Sequence, residues 1–335
     1  MDFLAVGDTT IDNFVKLKDA RVHCSINDED CEICMRWGDK IPFEMNLEVP
    51  AVGNAANAAV AASRLGLKSA LRAYVGEDEN GEKCLASLKK DGVDVSLMVR
   101  QGGKRTNYHF VLWYEGQRTI LIKHEAFDYE FAELPEPPSW LYLSSLAQNS
   151  LPYEQACERW LEKHPQTKFA FQPGTFQISL GADKLAALYN RADIFFSNKE
   201  EAGRILKRLP AQSGSAEADI KELLKGIQVL GPRTVVITDD IRGAYAIEEN
   251  GATWFVPRYP DPRPPYEITG AGDAFASTTV AALAQGKPLQ EALRWGAVNA
   301  SAVLQEIGAQ KGLLTREELE QNLKNPPGSF AVSPF

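Results

Sequence analysis

The stretch richest in chemistry is Glu267–Phe275, EITGAGDAF, followed by the small-residue run ASTTVAALAQ that ends at Gly286. Gly270 and Gly272 bracket Ala271, a spacing that lets the backbone approach a ligand with its N–H groups pointing at it. A helix beginning there adds the positive end of its dipole. Such a nest suits the negative charge that grows on a transferring phosphoryl group. Asp273 at its rim is placed to accept a proton from an attacking hydroxyl. A four-residue GAGD is equally an ordinary glycine turn with Asp273 as N-cap of the next helix. Taken alone, the motif leaves both readings open.

A second cluster is Cys24, Cys31 and Cys34, with His23 beside it. Zinc needs four converging ligands, and here one CxxC has only Cys24 and His23 to complete it. The plainer reading is three thiols in a polar, loop-rich insertion. With Cys84 and Cys157 the total is five, an odd number at irregular spacing that does not suggest a disulfide framework. A net charge of −9 argues against nucleic-acid and anionic-membrane partners, while leaving room for a local basic pocket. No run approaches the ~20 apolar residues that span a bilayer. The opening MDFLAVGD has no basic region leading into an apolar segment, so a cytoplasmic location is expected.

These residues need a scaffold, and the chain alternates short apolar runs with helical patterns, as parallel strands joined by crossover helices do. Phe3–Val6, Ser69–Val75, Trp140–Leu143, Lys168–Phe171, Ile194–Phe196 and Thr234–Thr238 read as strands. Asn54–Leu65 reads as a helix closed by Gly66, with further helices through about Lys90 and around 152–163, 181–190 and 199–208. The order predicts an α/β fold with a doubly wound, mostly parallel sheet flanked by helices. Residues 14–49 and 104–123 break the alternation and predict a small accessory sheet, the second as a hairpin turning near Glu115-Gly116. The prolines of 257–265 exclude an interior strand there. The expected organisation is one domain over 1–325 carrying these two insertions, with 326–335 as an irregular tail.

TGAGDAF before a small-residue helix resembles the C-terminal signature of the ribokinase-like (PfkB) carbohydrate kinases. Gly53-Asn54-Ala55-Ala56-Asn57-Ala58-Ala59, then Gly66 and Gly76, resemble the family's N-terminal signature. GDTTID at 7–12, VGEDENG at 75–81, NKEE at 198–201 and GAQ at 308–310 follow in family order. The resemblance implies a ribokinase-like fold and ATP-dependent phosphorylation of a hydroxyl on a small sugar or nucleoside. Asp273 would be the base, and the Gly270-Ala271-Gly272 nest the anion hole. It implies Asp12, Gly53 and Asn57 as substrate contacts, a carboxylate being a good reader of a vicinal diol. It makes Asn198 and Glu201 the organisers of Mg²⁺, a role that coexists with a capping box at that helix start. Thr238 and Gly243 would form the nucleotide loop, and Asn299 would stand on the adenine-side wall.

Four positions depart from the family pattern. Val52 replaces the first of two glycines and narrows the pocket wall. Gln172 stands where an Asp is frequent, Asp240 replaces a glycine of the nucleotide loop, and Glu267 replaces the Asp at the head of the GAGD motif. That last position neighbours the monovalent-cation site of related kinases, so K⁺ activation is part of the expectation. The accessory strands would correspond to the family's lid, which excludes water and in some members pairs subunits into a homodimer. The departures also motivate an alternative: a catalytically weak or inactive kinase-fold protein that senses a sugar or nucleoside.

Overall fold

The computed structural model describes residues 1–24, 31–115, 117–207, 216–328 and 330–335. Its centre is a nine-stranded sheet. The order is Ser333–Pro334, Thr253–Val256, Ala244–Ile247, Thr234–Thr238, Ile194–Asn198, Lys168–Phe171, Trp140–Leu143, Phe3–Val6, Ser69–Arg72. The last six run parallel and the first three are added antiparallel. This is the expected doubly wound α/β architecture. In Phe3–Val6 the pleat sends Phe3 and Ala5 into one core and Leu4 and Val6 into the other, all four fully buried. The first core is capped by the helices Asn54–Arg64, Ala271–Ala284 and Leu289–Val303, whose alanines let them lie close to the sheet and to one another. The second is filled by aromatic residues under Leu151–Lys163, including Tyr153, Trp160, Phe169 and Phe171.

Three elements differ from expectation. The run 69–75 is two strands: Ser69–Arg72 stays in the large sheet, while Tyr74–Gly76 pairs with Val99–Gln101. The helix expected over 181–190 is α-helical only over Ala186–Arg191: it starts as the 3₁₀ turn Ala182–Leu185, and Gly181, whose φ of 89° is left-handed, separates it from a further helix, Thr175–Leu180. The tail is not irregular throughout. Ser333–Pro334 pairs with the otherwise open edge strand Thr253–Val256, and Phe335 and Phe330 pack against Tyr245 and Tyr259. Periodicity within a tail cannot show that an unpaired sheet edge is waiting for it.

A second sheet of four strands, Gln117–Leu121, Asn107–Tyr114, Thr10–Leu17 and Phe43–Val52, is drawn from the two segments that broke the alternation. The hairpin turns at Glu115, with φ 48°; Gly116 lies outside the described residues. In Asn107–Tyr114 burial alternates strictly, with Asn107, His109, Val111 and Trp113 on the buried face.

The cysteine cluster is resolved differently from either reading. Arg21–His23 and Glu32–Cys34 pair antiparallel with Arg21 opposite Cys34 and His23 opposite Glu32. That register brings the next positions, Cys24 and Cys31, face to face, and they form a disulfide with a Cα–Cα distance of 4.0 Å. Cys34 is exposed and free, and among the described residues no group of three or more His, Cys, Asp or Glu is placed to hold a metal ion. Among the described residues no helix is long and apolar enough to cross a membrane.

Candidate active site

The chain leaves Phe3–Val6 for its neighbour Ser69–Arg72 and later returns to its other neighbour, Trp140–Leu143. At such a reversal the connections part to opposite faces, and a crevice opens beyond the C-terminal strand ends. Asp8, Gln172, Asn198 and Thr238 all lie at those ends.

The helix Ala271–Ala284 starts at this crevice. Its N-cap is Gly270, in the left-handed conformation at φ 82° with no side-chain cap, so Asp273 is not the cap but the third helical residue. The first amide bonded back into the helix is that of Ala274, to the Gly270 carbonyl at 2.8 Å. The amides of Ala271, Gly272 and Asp273 therefore have no intrahelical acceptor. The two glycines differ in what surrounds them. A Cβ on Gly270 would lie 2.3 Å from Ala309 Cβ, whereas one on Gly272 would meet no protein atom within 4 Å. Nothing inside the protein demands Gly272; the open space above it is a cradle that a Cβ would fill.

Asp273 is held by side chains from across the fold. Asn57 Nδ2 donates to its Oδ2 at 2.9 Å, and Gln172 Nε2 donates to its Oδ1 at 3.2 Å. Both amides are themselves oriented. Gln310 Nε2 donates to Asn57 Oδ1 at 3.0 Å, and the Tyr142 hydroxyl donates to Gln172 Oε1. The network Gln310–Asn57–Asp273–Gln172–Tyr142 fixes the carboxylate from both sides. Burial pushes the Asp273 carboxyl above the ordinary range. The Asn57 and Gln172 amides and the Arg118 guanidinium pull the other way, and the charge of Asp12 adds to the rise. Gln172, a departure from the family pattern, thus touches Asp273 directly.

Asp12 lies on the strand Thr10–Leu17 and is 8% exposed, opposite His109 in the parallel register. His109 Nδ1 is 3.3 Å from Asp12 Oδ1 without hydrogen-bond geometry, so Asp12 Oδ1 and His109 Nε2 are both buried without a partner. Such orphans cost about 1–3 kcal/mol each. Beside them Asp8 accepts from the Tyr129 hydroxyl at 2.7 Å and lies 3.0 Å from His124 Nδ1. Gly53, at φ 104°, opens the helix Asn54–Arg64, and a Cβ there would come 3.1 Å from the Asp8 carbonyl. Val52 is buried.

Asn198 and Glu201 form a reciprocal capping box: Asn198 Oδ1 accepts from Glu201 N at 2.7 Å, and Glu201 Oε2 accepts from Asn198 N at 2.9 Å. Burial raises the Glu201 carboxyl. The Asn198 amide and Arg204 oppose this, and Asp273 adds to it, so the two carboxylates sense one another. One Glu201 oxygen remains outside the box. A single carboxylate fits Mg²⁺ that arrives on phosphates with its own waters, not a cage of protein ligands.

Of the residues expected to meet a nucleotide, Thr238 ends its strand half-exposed. Gly243 is demanded by packing, since a Cβ would sit 2.2 Å from the Val256 carbonyl. Asp240 is exposed at φ 49°, the conformation that favours glycine at this position. Asn299 requires correction. It is fully buried, donates to Thr278 Oγ1 at 2.7 Å and accepts from Leu314 N at 2.9 Å. It clips two helices to the following loop, and both ends of its amide are engaged inside the protein. Glu267 is likewise occupied: it accepts from the Thr269 amide at 2.7 Å, the Thr269 hydroxyl and the Gly308 amide, with Arg118 3.8 Å away. That donor set does not suit an additional K⁺.

His109, Gln310, Tyr142, Tyr129 and Arg118 had no place in the sequence reading of the site. Only Gln310 carried a signal, as the end of the GAQ motif. The others reach the crevice through strand register and long-range pairing.

Residues 31–316 match the model of the pfkB family carbohydrate kinases. Among curated relatives, the 5-dehydro-2-deoxygluconokinase of Bacillus subtilis (strain 168) is 27% identical over 289 residues, covering 80% of this chain and 85% of that protein. Among solved structures, the nucleoside kinase of Methanocaldococcus jannaschii superposes with a TM-score of 0.77 at 17% identity, covering 96% of this chain and 98% of that one. The ribokinase of Arabidopsis thaliana, complexed with ribose and ATP, gives a TM-score of 0.76 at 20% identity, covering 97% and 99%.

Proposed function

Since this chain belongs to the pfkB family of carbohydrate kinases, we propose that it transfers the γ-phosphoryl group of ATP to a hydroxyl of a small sugar, sugar acid or nucleoside, with Asp273 as the base. The observation that carries this reading is the placement of Asp273. It is a desolvated carboxylate, held by two oriented amides, one residue beyond the open cradle at Gly272. A carboxylate with a raised pKa is a better proton acceptor than an exposed aspartate. The substrate hydroxyl donates to Asp273 as its oxygen attacks the γ-phosphorus in line, and ADP leaves. The free amides of Ala271 and Gly272, with the helix dipole behind them, stabilise the charge on the phosphoryl oxygens.

Asp12, Gly53 and Asn57 line the substrate side in this reading, and Thr238 and Gly243 the nucleotide side. Mg²⁺ carried with ATP would be met by Glu201, positioned by Asn198, and would offset phosphate charge. The second sheet serves as a lid: Asp12 and Arg118 on it already bear on Asp273, and closure excludes the water that would hydrolyse ATP. Its other face exposes the cross-strand pair Phe110 and Leu121, a natural contact for a second subunit that light scattering can test. ATP as co-substrate argues for a cytoplasmic setting, with the Cys24–Cys31 disulfide the one feature against it.

The names of the relatives suggest the panel: keto sugar acids, pentoses, hexoses and nucleosides with Mg-ATP, read by ADP release. One class should be turned over well above the rest. Tight calorimetric binding of one compound with no ADP from any would point instead to a non-catalytic sensor.

A further inference from the structure

Two polar atoms in the substrate half of the crevice are buried and unsatisfied, Asp12 Oδ1 and His109 Nε2. They belong to neighbouring side chains, because Asp12 and His109 are register partners on parallel strands. Both belong to the buried face of the second sheet, and the field of Asp12 reaches Asp273, so that face looks onto the base. A folded protein rarely leaves adjacent buried orphans without a ligand to complete them. Asp12 is already assigned to substrate by the reading above. We infer that His109 is a second substrate-contacting residue, and that it selects for a hydroxyl other than the one phosphorylated.

The chemistry follows from the ring's two faces. Nδ1 is turned to the Asp12 carboxylate at 3.3 Å, which favours a proton on that nitrogen. Nε2 is then the free acceptor, ready for a hydroxyl proton. The ring cannot swing away cheaply. His124 packs against it with centroids 5.1 Å apart, and His124 is itself set by Asp8 and by the edge of Phe176. A polyhydroxylated substrate would present one hydroxyl to Asp12 and the next to Nε2. A ligand lacking that second hydroxyl would leave Nε2 orphaned, which is how buried polar sites reject deoxy analogues.

The inference rests on the kinase reading, and its test separates the two. Steady-state ADP release is measured with the best compound of the panel and with its single-deoxy analogues. His109→Phe keeps the ring's bulk and should lower kcat/KM by roughly 10–100-fold, mainly through KM, each tenfold being one lost hydrogen bond of ordinary strength. One deoxy analogue should lose as much with the unaltered enzyme and nothing further with His109→Phe. His109→Gln, whose amide reaches the position of Nε2, should recover most of the loss. His109→Asn, whose amide reaches only toward Asp12, should not. Recovery by Asn and not by Gln would mean that His109 merely positions Asp12, and the inference would fall. An unchanged KM in a correctly melting His109→Phe would overturn it too. If no compound yields ADP, the kinase reading fails and takes this inference with it.

Discussion

Asp273→Asn tests the centre of the mechanism, and the structure gives the size of each effect. The wild-type carboxylate accepts one bond on each oxygen, from Asn57 and from Gln172. Asparagine has one acceptor oxygen and sets its own NH₂ against the other donor. Asn57 cannot flip in response, because Gln310 donates from one NH₂ to its Oδ1 and to the Ala51 carbonyl, and Gln172 can flip only by making the Tyr142 hydroxyl an acceptor and stranding its buried proton. The variant therefore loses one hydrogen bond, about 1 kcal/mol. Relief from burying a charge opposes that loss. The folded-state pKa of Asp273 is raised, so the folded protein holds this proton more tightly than the unfolded chain does. The stability this confers is present in full below the unfolded value and disappears as pH rises through the folded one. Above the folded-state pKa wild type has lost it, and asparagine never titrates. The two terms oppose one another, so a net loss should not exceed the single hydrogen bond, a fall in melting temperature of about 2–4 °C at most.

Activity has no such compensation. Loss of a general base lowers kcat by ~10²–10⁴-fold, or about 2.7–5.5 kcal/mol of barrier. The assay is coupled ADP release at pH 8, with calorimetric titration of ATP and thermal melts from pH 5 to 9. ATP affinity should stay within a few-fold of wild type. On acidification, the stability of wild type should rise relative to the variant. A variant that melts normally and keeps kcat within threefold would refute Asp273 as the base.

Asn57→Ala removes a donor to the Asp273 carboxylate, so the acidic limb of the kcat/KM–pH profile should move to higher pH; a limb that moves down or stays would contradict the network. Gly272→Ala adds a methyl where no protein atom lies. It should leave melting unchanged or slightly higher while cutting kcat/KM for ATP by roughly 10–100-fold. Gly270→Ala should instead destabilise by about 1–2 kcal/mol from the left-handed backbone alone, before its clash with Ala309. Asn299→Ala strands the Thr278 hydroxyl and the Leu314 amide, so a loss of about 1–3 kcal/mol is expected with the KM for ATP unchanged; a selective rise in that KM would restore Asn299 to the nucleotide site. Alkylation of native protein should label Cys34 alone. Reduction should add Cys24 and Cys31, and only unfolding should release Cys157 and Cys84, whose thiol burial pushes up to about 12.

The parallel strands, the hairpin of 107–121 and the glycine nest were legible in sequence because each is a local matter. Apolar runs, helix stops and left-handed turns are set by neighbours a few residues apart, and GAGD lies on one continuous helix start. What surrounds Asp273 was not local. Asn57 and Gln310 are 253 residues apart and share a hydrogen bond. Gln172 looked like a lost charge and proved to be a donor to Asp273. Asn299 looked like a pocket wall and proved to be a buried clip. Cys24 and Cys31 looked like metal ligands or free thiols until strand register set them opposite one another. His109 gave no signal, since an alternating strand reads the same whichever residue it places over the crevice. Sequence settled which backbone carries the nest and its aspartate. Only the sheet's reversal and the pairing of distant strands decided which side chains hold that aspartate and face it, because register and long-range contact are properties of the packed chain.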